Sequence, residues 1–212
     1  MKQARHIAIE GPIGVGKSSL VRLLAERLSA RIVLEPDVDN PFLEDFYREP
    51  RKFAFQTQLF FLLARYQQQS ELAQMDLFAK STVADYLFEK DRIFAYLNLS
   101  EPEIALYEKF YEMLSKVVVK PDLVVYMTAE TKVLLKRIKR RNRSFERRIT
   151  HEYLDELVTA YSDFFFAYSA SPLLVVNTSQ MDFVHNEADF EALVNEIITH
   201  ERGVKHFIPV SG

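Results

Sequence analysis

Residues Gly11 to Ser18 read Gly-Pro-Ile-Gly-Val-Gly-Lys-Ser, and no other stretch restricts the fold as tightly. The spacing G-x-x-x-x-G-K-[ST] belongs to a loop that cradles phosphates between a strand and a helix. His6 to Glu10 before it reads as a short buried strand. Ser19 to Leu28 after it carries apolar residues at helical spacing. In such a loop the backbone N–H groups point at phosphate oxygens, and the helix N-terminus adds positive potential. Lys17 then reaches the outer phosphates and the Ser18 hydroxyl can ligate magnesium. The competing reading is a glycine turn that binds nothing. The complete motif in a strand–loop–helix context favours nucleotide binding.

The rest of the chain alternates. Arg31 to Pro36, Lys80 to Tyr86, Leu123 to Met127 and Leu173 to Asn177 read as four further strands. Between them, helices are expected near Leu43–Tyr47 and at Lys52–Met75, Phe88–Leu97, Pro102–Val118, Glu130–Lys139, Thr150–Tyr168 and Ala188–Glu201. Thr150 reads as a helix cap. Strands that are nearly all apolar and alternate with helices predict an α/β fold: a five-stranded parallel sheet flanked by helices on both faces. With 212 residues, no repeat and no linker, the expectation is a single domain spanning 1–212.

Composition excludes some classes. A formal charge of −3 argues against general affinity for nucleic acid. The chain has no Cys, hence no disulfide or thiol chemistry, which fits a cytoplasmic location. No apolar run is long enough to span a membrane. The first strand begins so early that no signal peptide is expected. The only glycines are Gly11, Gly14, Gly16, Gly203 and Gly212. A GTPase switch needs Asp-x-x-Gly after a strand, and no glycine lies between Gly16 and Gly203.

Several side chains are placed to do chemistry. Glu35 closes the second strand, and ligands of open parallel sheets sit outside the carboxyl ends of the strands. A carboxylate there can take the proton of an attacking hydroxyl; the alternative is a solvated acid before a proline turn. Asp85 closes the third strand, either as a magnesium ligand beside Ser18 or as the cap of the next helix. Gln56 shares a helix face with Leu59, Phe60 and Leu63. An amide on an aromatic face suits a flat heterocycle, though a glutamine bonded to backbone explains it equally. Lys132 to Arg148 is dense in Lys and Arg. It reads as a nucleic-acid patch, a solvated helix face, or a lid over a triphosphate; the phosphate loop favours the lid.

Taken together, these elements resemble the deoxynucleoside kinase family. Ile9-Glu10-Gly11 through Gly16-Lys17-Ser18, Glu35-Pro36, Asp45-Phe46-Tyr47-Arg48-Glu49-Pro50, Phe55-Gln56-Thr57 and Arg137 with Arg141-Asn142-Arg143 and Glu146 follow in family order. The resemblance implies a P-loop kinase fold with an Arg-rich lid at about 137–149. It also implies phosphorylation of a deoxynucleoside 5′-hydroxyl by ATP with Mg²⁺, with purines preferred. ATP would lie on Gly11, Pro12, Ile13, Gly14, Val15, Gly16, Lys17, Ser18 and Ser19. Glu35 would be the general base, and Ser18 and Asp85 would hold the metal. Tyr47 would bond the 3′-hydroxyl, and Gln56 would present its amide to the base. Arg137, Arg141 and Arg143 would grip phosphates, while Glu146 would contact the 5′-oxygen. The adenine end of ATP is expected near Thr178–Asn186.

Two positions depart from the family pattern. An arginine usually follows the acid of the third strand; here Asp85-Tyr86-Leu87 puts Tyr86 in its place, with Arg92 or a lid arginine as candidate substitutes. Seven residues after the glutamine many members carry an arginine; here Leu63 stands there, with Arg65 two residues on. Asp91 falls where some members place a base-contacting aspartate. A thymidylate-like monophosphate kinase shares the loop and the Glu-Pro, but an arginine typically precedes that pair and here Leu34 does. With no cation adjacent to Glu35 in the chain, an incoming dianion would be repelled. Family members are usually homodimers, so a homodimer is expected, with no nucleic-acid or membrane partner.

Overall fold

The computed structural model describes residues 5–35, 39–74, 81–142 and 149–208. Six strands, β1 (His6–Glu10), β2 (Arg31–Val33), β3 (Thr82–Ala84), β4 (Leu123–Thr128), β5 (Leu173–Asn177) and β6 (Val204–Phe207), make one sheet in the order β2-β3-β1-β4-β5-β6. Every pairing is parallel. β1 is central, and the strand order changes direction around it. That arrangement opens a ligand crevice at the carboxyl ends of the strands.

The helices are α1 (Lys17–Leu28), α2 (Leu43–Arg48), α3 (Pro50–Gln74), α4 (Lys90–Asn98), α5 (Glu101–Leu114), α6 (Thr131–Arg141), α7 (His151–Phe166) and α8 (Glu187–Thr199). The strands read as continuous apolar runs because both faces are covered: Leu123 to Met127 of β4 are all buried. The main core joins the sheet to α1, α6, α7 and α8. Tyr126 on β4 stacks on Phe165 of α7 with ring centroids 4.1 Å apart. A second core, including Phe46, Leu62, Phe88, Tyr107 and Tyr111, forms among α2, α3, α4 and α5. This second core fixes α3 and α4 relative to the sheet, and with them the far wall of the crevice.

The structure corrects the strand count from five to six. β6 is an edge strand in which Val204, Lys205 and His206 are exposed and only Phe207 is half-buried. Its place is set by backbone pairing to β5, so its side chains carry no apolar pattern to read. β2 and β3 are shorter than expected. Glu35 and Asp85 therefore sit just beyond strand ends, where side chains are free to turn into the crevice. Of the expected lid, residues 137–141 are the end of α6, while Arg143 to Arg148 lie outside the described residues.

α7 begins as the sequence foretells: the Thr150 hydroxyl oxygen accepts from the Tyr153 N–H at 3.1 Å. Helix α7 buries Leu154, Leu157, Tyr161 and Phe165. Loss of this cap in Thr150→Ala should cost about 1 kcal/mol. A lower urea midpoint with an unchanged slope is the expected reading, and Thr150→Ser should restore most of it.

Candidate active site

The phosphate loop turns where only glycine fits. Gly11 has φ +151°, and a Cβ there would meet the Met127 carbonyl oxygen at 2.4 Å. Gly14 has φ +84°, with Ile138 Cγ1 at 2.8 Å from the same hypothetical atom. Ile13 to Ser19 border a cavity of about 1670 Å³; Gly11 and Pro12 are buried behind it. Lys17 opens α1 and donates through Nζ to the Gly11 carbonyl at 2.7 Å. Burial pushes its ammonium below the usual value, with Glu10 pulling the other way.

Glu10, at the tip of β1, is fully buried. Its carboxylate accepts from the N–H of Gly11 at 2.8 Å, the N–H of Leu87 at 2.9 Å and the Tyr161 hydroxyl at 3.1 Å. One acid therefore joins the phosphate loop, the segment after β3 and helix α7. Its only sequence signal was its place in the first motif.

Asp85 borders the same cavity as Ser18, whose hydroxyl favours the ionised carboxylate. Burial pushes its carboxyl up, against the pull of Lys17. Asp85 Oδ1 is buried and has no partner among the described residues. An orphaned carboxylate oxygen beside a hydroxyl is a fitting donor pair for Mg²⁺. No group of three or more His, Cys, Asp or Glu gathers among the described residues. A cation here would thus depend largely on phosphates and water, as Mg²⁺ at nucleotide sites does.

Glu35 faces this cavity too, held from two sides. Lys90 Nζ donates to Oε2 at 2.9 Å, and Arg65 Nη2 donates to Oε1 at 2.5 Å. Burial alone would raise the Glu35 carboxyl; Lys90 and Arg65 outweigh it and hold it well below the usual carboxylate range. The chain sets no arginine next to Glu35, yet two cations stand beside it in the fold. They are brought from α3 and α4 rather than from the neighbouring residue Leu34. Arg92, the sequence candidate, points elsewhere and donates to Glu108 at 2.9 and 3.0 Å.

Tyr47, Phe61, Gln58 and Arg65 line the same cavity. Arg65 and Gln58 both donate to the fully buried Asp91, which also accepts from the Tyr107 hydroxyl at 2.8 Å. Asp91 backs the wall and does not border the cavity itself. The expected pair Gln56 and Leu63 is displaced: both side chains are exposed on the outer side of α3. Counting seven residues from Gln58 instead of Gln56 lands on Arg65 and restores the family spacing. That signal was present in Phe55-Gln56-Thr57-Gln58, where two glutamines compete for one role.

Arg137 on α6 donates to the Val15 carbonyl at 3.1 Å and to Thr178 Oγ1 and O at 3.2 and 2.9 Å. It ties the phosphate loop to the segment after β5. Residues of that segment, Met181 to His185, border the cavity as expected for Thr178–Asn186. Arg141 borders it as well. Arg143 and Glu146 lie outside the described residues.

Residues 7–201 match the family model described as Deoxynucleoside kinase. The chain is 36% identical over 204 residues to a deoxyguanosine kinase of Bacillus subtilis (strain 168), covering 93% of this chain and 98% of the relative. It is 35% identical to a deoxyadenosine kinase of Dictyostelium discoideum, covering 84% and 74% respectively. Among solved structures it superposes on a deoxyadenosine kinase from M. mycoides with bound dATP. The TM-score is 0.79 at 27% identity, covering 92% of this chain and 100% of the other.

Removing one member of a buried charge group leaves its partners uncompensated. Arg65→Met strands Asp91 and should cost about 3–5 kcal/mol. A urea unfolding curve checks this, and a loss below about 1 kcal/mol would contradict the network described.

Proposed function

Because the chain belongs to the deoxynucleoside kinase family, and so phosphorylates deoxynucleosides, we propose that it transfers the γ-phosphoryl group of ATP to the 5′-hydroxyl, with Glu35 as general base. The observation that carries this reading is that Glu35, Lys17 and Asp85 border one cavity. ATP lies on the loop from Gly11 to Ser19, with its adenine near Met181–His185. Mg²⁺, held by Ser18 and Asp85, supplies charge neutralisation at the phosphates when bound. Lys17 leaves the Gly11 carbonyl for the phosphates. Glu35 takes the hydroxyl proton in the step that forms the new O–P bond.

Tyr47 is assigned to the sugar 3′-hydroxyl. Gln58 and Arg65, backed by Asp91, are assigned to the base, replacing Gln56 and Leu63. The Gln58 amide nitrogen is committed to Asp91, which leaves its oxygen to accept from a base, and the deoxyguanosine and deoxyadenosine kinases among the relatives support a purine. Arg137 and Arg141 steady the triphosphate from α6, and Arg143 and Glu146 are assigned to the lid. The chain acts as one domain, 1–212. A homodimer is supported by the exposed apolar side chains Tyr96, Leu106 and Met113 on α4 and α5. No helix among the described residues is long and apolar enough to cross a membrane, and with the absence of Cys this supports the cytoplasmic assignment.

Glu35→Gln should lower kcat by roughly 10²–10⁴-fold while leaving ATP affinity unchanged. Single-turnover kinetics and a fluorescent-ATP titration separate the two. Near-normal turnover would remove Glu35 from the role of base.

A panel of the four deoxynucleosides, with deoxyguanosine monophosphate as a further acceptor, should show turnover of purine deoxynucleosides and none of the monophosphate. Gln58→Ala should raise KM for the preferred nucleoside about tenfold or more, and Gln56→Ala should change it by less than about twofold. The opposite order would return the base contact to Gln56.

A further inference from the structure

The family's arginine after the third-strand acid is missing, and Tyr86 in its place is turned away from the cleft. The Tyr86 hydroxyl is bonded to Gln68 and accepts from Gln69 Nε2 at 3.2 Å, tying the end of β3 to α3. The positive charge has moved four residues along the chain, to the first residue of α4. Lys90 has a side chain only 4% exposed, and it borders the same cavity as Lys17 and Asp85.

Lysines are almost never buried this far unless paired. The Lys90 ammonium lies over the Tyr86 ring, its Nζ 5.7 Å from the centroid. Among the described residues its hydrogen-bond partner is one carboxylate oxygen, that of Glu35. An ammonium has three donors. One holds the candidate base, and Lys90 and Glu35 both border the cavity, where the remaining donors can meet a ligand. Arg65 cannot do the same work, because its guanidinium is shared between Glu35 and Asp91 at the far wall.

We propose that Lys90 is a catalytic cation of this enzyme, aligning Glu35 and donating a hydrogen bond to the acceptor oxygen as phosphoryl transfer proceeds. The inference rests on the reading of Glu35 as the base. In the step, the hydroxyl proton passes to Glu35 and the oxygen forms a bond to the γ-phosphorus. The bond to the ADP oxygen breaks, and ADP leaves with the electron pair. Lys90 neither gains nor loses a proton. Its fixed charge faces the oxygen through which electron density moves, in a site where water is largely displaced.

The charged and titratable groups that act on Glu35 are Arg65 from α3, Lys90 from α4, Lys17 from α1 and Tyr161 from α7, with Tyr86 behind the cleft wall and Asp85 bordering the same space. Lys90 and Arg65 together keep Glu35 ionised to low pH. A base must be ionised to act, so removing Lys90 should move the acid limb of kcat/KM to higher pH.

The test uses the full chain with ATP, Mg²⁺ and the preferred nucleoside. Lys90→Met should lower kcat/KM about 10²–10³-fold and raise the acid limb by about one pH unit or more. Lys90→Arg should recover at least about tenfold of the loss and return the limb toward its original place. If Lys90→Met does not fold, as judged by circular dichroism, Lys90→Gln carries the same readouts. In a Glu35→Gln background, loss of Lys90 should cost far less than in the parent. An unmoved acid limb, or additive losses in the double variant, would overturn the role of Lys90 while leaving Glu35 as base. A near-normal Glu35→Gln would instead overturn the base reading itself.

Discussion

The site depends on a row of alternating charges, Lys90–Glu35–Arg65–Asp91, that runs from the strand tips to the wall of α3. Each carboxylate lies beside a cation, and Arg65 serves two acids at once. Buried charges are costly alone and tolerable only when paired and hydrogen-bonded. The row therefore fixes the separation of three elements, the end of β2, α3 and α4, with an interaction that none of them can satisfy alone. It also puts two residues that line the cleft, Arg65 and Glu35, in direct contact.

The parallel sheet sets the stage on which this row is built. With β1 at the centre, the phosphate loop emerges between β3 and β4. The tips of β2 and β3 deliver Glu35 and Asp85 toward it. Glu10 clamps the arrangement from beneath by bonding Gly11, Leu87 and Tyr161. Two buried acids thus have opposite duties. Glu10 has its oxygens occupied by protein donors and serves as a joint. Asp85 keeps one oxygen unpartnered among the described residues, open to the cation proposed for the site.

The replacement of an arginine by a tyrosine is intelligible as a relocation of charge. Tyr86 gives up the cleft and braces β3 against α3 through Gln68 and Gln69. Lys90 brings an ammonium to the Glu35 carboxylate from the first turn of α4. The electrostatic demand at Glu35 is met although the residue at the family position is not cationic.

From the linear chain alone came the phosphate loop, the parallel α/β architecture, the α7 cap at Thr150 and the acids Glu35 and Asp85. These rest on short-range rules: glycine at tight turns, apolar runs in two-faced strands, acids at strand ends. The sixth strand stayed hidden because an edge strand with exposed side chains is held by backbone pairing, which leaves no apolar period. The choice between Gln56 and Gln58 also lay beyond local reading. Residues two apart on a helix point about 200° away from each other, so the packing of α3 decides which one enters the cleft. Lys90 and Arg65 became partners of Glu35 only through folding. Long-range electrostatics joins side chains 30 and 55 positions apart, and no spacing within the chain records that meeting.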